Sequence, residues 1–209
     1  MSAFTASMHA GQGCAITTRL VVPRARYDEA VEAAAGTMSG LKPGDPNDSG
    51  TICGPVISAR QRDRIQGYLD LAVEEGGKFA TGGGVDRGKS AGFWIEPTVI
   101  SGLDNSARVA QEEIFGPVLV VIPHDGDDDA VRIANESAYG LSGSVDSGDL
   151  ERARAVARRI RTGTLAVNGG VWFSPDVPFG GYKQSGIGRE MGVAGFEEYL
   201  EMKLIAEGV

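Results

Sequence analysis

Gly11-Gln12-Gly13-Cys14 places a thiol between a run of small residues, 2–12, and the apolar run Leu20-Val21-Val22. A cysteine where a helix hands over to a strand, beside glycines that admit close approach, suits a nucleophile and equally a core thiol. A thiol of ordinary pKa, about 8.5, is mostly protonated at neutral pH, so a nucleophile needs activation. Histidine is the usual activator, and the chain has only His9 and His124. His9 precedes Cys14 by five residues, about 140° round a helix, so the two share no helical face. A protease-type Cys–His pair is therefore poorly supported. Cys53, in Thr51-Ile52-Cys53-Gly54-Pro55, lies inside a long loop and reads as structural.

A second candidate is Gln111-Glu112-Glu113-Ile114-Phe115-Gly116-Pro117. Adjacent carboxylates usually mark a solvated helix end, but here a buried strand follows directly. Glu113 thus stands where a strand begins, and loops at strand ends are where α/β folds hold ligands. A carboxylate there could accept two hydroxyl hydrogen bonds from a sugar. The third is Pro178-Phe179-Gly180-Gly181-Tyr182-Lys183-Gln184-Ser185-Gly186-Ile187-Gly188-Arg189-Glu190. It has P-loop glycine spacing, but Ile187-Gly188 replaces Lys-Ser/Thr. Its Gly186-Ile187-Gly188 is not preceded by a strand, so both nucleotide motifs are refused. Asp125, Asp127, Asp129 and Glu136 match calcium-loop positions, but Ala130 stands where glycine is needed and the segment reads as a helix start. No His/Cys cluster offers a metal site.

These groups need a scaffold. Extended runs are expected at Arg19–Pro23 (a central parallel strand), Lys78–Thr81, Phe93–Ser101 (edge or bulge, because of Pro97), Val118–Ile122, Leu141–Val145 and Gly163–Asn168. Helices are expected over residues 2–12, Tyr27–Met38, Ser58 to Glu75 with Ile65, Leu69, Ala72 and Val73 on one face, Asp127–Ser137, Asp149–Arg161 and Val193–Tyr199. Ser58 and Asp149 are the expected N-caps. Lys42–Ser58, rich in Gly, Pro, Asp and Asn, is a long loop of the kind that is functional or ordered by packing. The alternation gives an α/β fold, three-layered, with a mostly parallel sheet and helices on both faces. The tail Glu201-Met202-Lys203-Leu204-Ile205-Ala206 alternates like a half-exposed strand, an invitation to pair with another chain.

The 209 residues can bury a sizeable core, and the net charge of −8 argues against nucleic acid or an anionic membrane as partner. Two cysteines make no disulfide framework, and a cytoplasmic location is the expectation. The sequence contains neither a spanning apolar run nor a secretory leader pattern.

Taken together, the motifs at Gly11–Cys14, Glu112–Pro117 and Pro178–Gly186 resemble the aldehyde dehydrogenase superfamily, in order and in separation, over essentially the whole chain. The resemblance implies NAD(P)-dependent oxidation of an aldehyde to a carboxylic acid through a thioester on Cys14, with the oxyanion held by the Cys14 backbone N–H. It implies that Glu113 grips the ribose of NAD or NADP, that Phe115 lies beside the nicotinamide, and that Trp172 and Phe173 wall the substrate pocket. Residues 1–192 then form a catalytic domain and 193–209 a terminal helix and oligomerisation arm, giving a homo-oligomer or a pairing with a complementary chain. Family members are more than twice this long. Their nucleotide-binding domain, oxyanion asparagine and general-base glutamate have no counterpart here, so most of the cofactor site is expected outside the chain. The alternatives are a non-catalytic remnant or oligomerising module, and an acyl transfer to CoA instead of water.

Overall fold

The computed structural model describes residues 1–86, 88, 91–170 and 173–208. They form two compact units, Met1–Ser137 and Ala138–Val209.

The first unit is built on a four-stranded sheet. Its strands are β1 (Arg19–Pro23), β2 (Lys78–Thr81), β3 (Thr98–Ser101) and β4 (Val118–His124), in the order β1-β4-β3-β2. β4 runs parallel to both β1 and β3, and β2 is antiparallel to β3. Alternate residues of β4 point to opposite faces. Val118, Val120 and Ile122 join Ile100 in one core, and Leu119 and Val121 join Val99 in another. The second core is closed by Ala3 and Ala6 of α1 (Ser2–Ser7) and by Ala34 and Met38 of α2 (Tyr27–Ser39). The first is closed by Ile65, Leu69 and Ala72 of α3 (Ala59–Glu74), by Val109 and Ala110 of α4 (Arg108–Gln111), and by Ile133 of α5 (Asp127–Asn135). This is the expected three-layer arrangement.

Several local expectations need correction. β1 is parallel, as expected, but lies at the edge of the four strands; the central strand is β4. Leu20 and Val22 pack on one core and Val21 on the other. The apolar run thus reports helices on both faces, which a sequence does not separate from a central place in the strand order. β3 begins only after Pro97 and lies between β4 and β2, not at an edge. The irregularity falls on its partner, as a register shift between Phe79 and Thr81. Val73 is 57% exposed, because it stands about 80° round the helix from Ile65 while Ala72 stands about 20° away. The opening helix ends at Ser7, well short of residue 12.

Ser58 caps α3 by accepting the Gln61 N–H at 3.2 Å. The last carbonyls of α5 are taken by a half-buried cation. Arg19 donates to Ile133 O at 3.0 Å, Ala134 O at 3.2 Å and Asn105 Oδ1 at 2.6 Å. These bonds satisfy groups that the end of a helix would otherwise leave open.

The second unit holds a two-stranded parallel sheet, β5 (Ser144–Val145) with β6 (Ala166–Val167), and the helices α6 (Leu150–Ala157) and α7 (Gly192–Glu197). Asp149 caps α6, accepting from the Glu151 and Arg152 N–H groups at 3.0 and 3.1 Å. The glycine-rich loop is organised around Arg189. Its guanidinium donates to Gly181 O and Gly188 O at 2.9 and 2.8 Å and lies over the Tyr182 ring, 5.3 Å from its centre. These contacts make the motif a packed loop. Residues 200–208 adopt no helix or strand, so the strand expected in the tail forms no ladder among the described residues. A single alternating segment has no partner for its backbone groups until another strand supplies one.

Candidate active site

The nucleophile loop begins with an unusual turn. After α1, His9, Ala10 and Gly11 have φ of 51°, 55° and 70°, three consecutive residues in left-handed conformation. Such a run is disfavoured for residues with a Cβ and needs tertiary packing to hold it. Ala10 is buried in the core, which supplies part of that packing. Gly11 supplies the rest by close approach. A Cβ there would lie 2.0 Å from the carbonyl carbon and oxygen of Gly116. Only glycine lets the two backbones meet, and their meeting brings the Cys14 loop onto the Glu112–Pro117 motif.

Cys14 is exposed. The Ile16 N–H donates to Gly13 O at 3.1 Å, turning the chain just beyond it. The Cys14 backbone N–H has no acceptor among the described residues. His9 is exposed and lies in the left-handed turn rather than on a helix, so the helical-face argument against a Cys–His pair gives way to a different local geometry. His124 is buried and hydrogen-bonded through Nδ1 within its own turn at Gly126. Cys53 is fully buried in the core, where desolvation pushes its thiol up to about 11.

Helix α3 holds the acidic motif. Gln61, Arg64, Ile65 and Tyr68 recur at helical spacing on one stripe. The Gln61 amide donates to Ile114 O at 3.1 Å and Phe115 O at 2.7 Å. Arg64 donates to Glu113 O and stacks on the Tyr68 ring. Ile65 fills the space beside Gly116, where a Cβ would lie 2.5 Å from its Cδ1. The Tyr68 hydroxyl donates to Glu112 Oε2 at 2.8 Å. Sequence reasoning noticed the apolar stripe of α3 and missed this polar one. Its signal is three hydrogen-bonding side chains at i, i+3 and i+7 around Ile65, the first apolar residue of the core stripe.

The two adjacent glutamates are separated by their surroundings. Glu112 receives Arg108 Nε at 2.7 Å as well as Tyr68, and the Arg108 bond, followed by the Tyr68 bond, lowers its pKa. Glu113 is exposed, and its carboxylate has no hydrogen-bond partner among the described residues. Phe115, at φ 58°, is partly exposed and is turned by the left-handed backbone that Gln61 clamps. The first unit therefore brings together Cys14, Glu113 and Phe115 on two loops in backbone contact. A free carboxylate suits a pair of sugar hydroxyls, and the aromatic ring suits a flat heterocycle.

In the second unit, Phe173 is 59% exposed and meets Phe179 edge to face, with ring centres 6.0 Å apart. Trp172, expected beside it in a substrate wall, lies outside the described residues. Asn168, which opens that segment, is in left-handed conformation, and its amide bridges Ser147, accepting its N–H at 2.8 Å and donating to its O at 2.9 Å.

A profile of the aldehyde dehydrogenase family matches residues 1–205. Geranial dehydrogenase from Castellaniella defragrans is 45% identical over 197 residues, covering 93% of this chain and 40% of that protein. An aldehyde dehydrogenase of Mycobacterium tuberculosis, solved with NAD+, superposes with a TM-score of 0.91 at 48% identity, over 95% of this chain and 41% of that one. A variant of aldehyde dehydrogenase C from Pseudomonas syringae, solved with NAD+ and octanal, does so with a TM-score of 0.92 at 46% identity, over 96% and 41%. The chain spans about two fifths of the length of the relatives it matches.

Proposed function

The chain belongs to the aldehyde dehydrogenase family, and from that premise we propose that it carries the nucleophile and part of the cofactor site of an NAD(P)-dependent aldehyde oxidation. The observation that supports this most directly is the contact of Gly11 with Gly116, which joins the loop of an exposed thiol to the loop of a carboxylate that has no partner among the described residues.

In this reading the Cys14 thiolate bonds to the aldehyde carbon, and the carbonyl electron pair moves to oxygen. The Cys14 N–H, free of any other acceptor among the described residues, donates to that oxyanion. Glu113 and Phe115 would hold the ribose and the nicotinamide ring of NAD or NADP, which would supply the hydride acceptor for the oxidation. Water then attacks the thioester, releasing the acid and returning the thiol to Cys14. Phe173, exposed in the second unit, keeps the substrate-wall role that the family resemblance implies for it. Residues 1–192 act as the catalytic portion and 193–209 as an arm. Exposed Tyr199, Leu200, Met202, Leu204 and Ile205 support an oligomer contact through that arm. Among the described residues no helix is long and apolar enough to cross a membrane, and two unpaired thiols favour a reducing cytoplasm.

The test is aldehyde-dependent NAD(P)H formation by the chain alone, and by the chain joined to the part of geranial dehydrogenase that the alignment leaves uncovered. The expected result is activity in the joined protein that Cys14→Ser abolishes. Glu113→Gln should weaken NAD(P) binding about tenfold, the scale of a lost charge-assisted hydrogen bond, while Glu112→Gln leaves it unchanged. Activity that survives Cys14→Ser would sink the proposal.

A further inference from the structure

We infer that Gln12 is a positioning residue that closes a ring of contacts between the nucleophile loop and the acidic loop. Its side chain is spent on the fold. Gln12 Oε1 accepts the Ile57 N–H at 3.0 Å, and Nε2 donates back to His9 O at 3.3 Å. Ile57 is the residue before Ser58, the cap of α3. Three residues beyond that cap, Gln61 clamps the carbonyls of Ile114 and Phe115. One turn further, Ile65 fills the space beside Gly116. Gly116 in turn meets Gly11, the residue before Gln12.

The path therefore returns to its origin through two independent connections. One is the direct backbone contact of Gly11 with Gly116. The other runs from Gln12 through Ile57 and α3 to Gln61. A single contact would leave the Cys14 loop free to pivot about Gly11. Two connections fix its tilt as well as its position relative to Glu113 and Phe115. The Ile57 side chain is 82% exposed, so at this joint it is the Ile57 amide, not side-chain burial, that ties the α3 end to the nucleophile loop. Gln12 and Gln61 are the two removable links, both at the N-terminal end of α3.

The functional meaning of the ring rests on the reading of Cys14 and Glu113 proposed above, but its existence is testable without that reading. Hydrogen exchange by mass spectrometry on this chain compares wild type with Gln12→Ala, Gln12→Glu and Gln61→Ala. Gln12→Ala should speed exchange about fivefold in peptides covering 9–16 and 112–118, the effect of one lost hydrogen bond on local opening. Gln12→Glu keeps the acceptor for Ile57 and should recover most of the protection. Peptides of α2 and the alkylation rate of buried Cys53 should stay at wild-type values. Exchange that rises only at 54–58 overturns the inference. Should Gln12→Ala unfold the chain, Gln61→Ala decides, because it touches only the acidic loop. An unchanged 9–16 peptide in that variant also overturns the inference. In the joined enzyme, Gln12→Ala should lower kcat about tenfold with KM for NAD changed less than twofold, because it moves the thiol and not the cofactor carboxylate. A matched rise in KM with kcat unchanged contradicts positioning. Failure of Cys14→Ser to abolish activity would remove the functional reading and leave the exchange result standing.

Discussion

The loop at Gly11–Cys14 and the long loop at Lys42–Val56 each carry one cysteine, and they treat it in opposite ways. The long loop folds inward. Cys53 and Val56 are buried in the core, Gly44 N–H donates to Cys53 O at 2.9 Å, and Val56 N–H donates to Phe93 O at 2.8 Å. Its thiol is desolvated and its backbone is occupied. The short loop instead is fixed from behind, by Gly11 on Gly116 and Gln12 on Ile57, so that Cys14 stands exposed with its N–H uncommitted. The same contrast separates Glu112, paired with Arg108 and Tyr68, from Glu113, which has no partner among the described residues. The residues proposed for chemistry are those the fold positions through their neighbours and leaves unspent.

The sharpest way to break this contrast is to titrate both thiols. Iodoacetamide should modify exposed Cys14 at least about a hundredfold faster than Cys53 at pH 8, since Cys53 is fully buried and burial pushes its thiol up to about 11. Peptide mapping after timed quenching measures it, and equal rates would erase the distinction.

Gly11→Ala attacks the anchor of the exposed loop. The added Cβ would meet backbone atoms at 2.0 Å and occupy a left-handed position, so we expect a loss of about 3 kcal/mol or more in denaturant unfolding. Gly116→Ala has no left-handed φ to strain and meets the Ile65 side chain rather than backbone, so it should cost less, about 1–2 kcal/mol. An inverted order would mean that the loops do not meet as described.

Cys53 makes a prediction about pH. Its folded pKa is raised, so its contribution to stability is full below the unfolded value and is lost as pH rises toward about 11. The unfolded chain sheds this proton first, and about 2–3 kcal/mol should disappear across that interval. Cys53→Ala should flatten this part of the alkaline limb in urea titrations run from pH 8 to 11. Glu112 has the opposite sign. Its depressed pKa gives a contribution present at neutral pH and lost as the pH falls through its folded value. The smallest expected effect is at the α3 cap, where Ser58→Ala should cost about 1 kcal/mol in the same unfolding assay.

The parts of the fold that were legible in the sequence rest on local chemistry. Runs of three and five consecutive apolar residues announced β1 and β4, and the oxygen-bearing side chains of Ser58 and Asp149 announced two helix starts. What could not be read depends on distant partners. The edge position of β1 is decided by which strand pairs with β4. The pairing of Glu112 rather than Glu113 is decided by Tyr68, 44 residues away. The left-handed turn at His9–Gly11 overrides the helical preference of small residues because Gly116 must approach there. In the tail, the alternation at 201–206 marks a segment suited to pairing, but no second strand answers it among the described residues.

The central claim is that Cys14 is the acyl-forming nucleophile. Acid quenching of the joined protein during turnover with octanal and NAD+, followed by intact-mass and peptide analysis, tests it most directly. The account predicts a peptide carrying Cys14 heavier by the mass of octanal less two hydrogens, absent without NAD+ and absent in Cys14→Ser. An acyl group found on another residue, or steady oxidation with Cys14 unmodified throughout, would contradict it.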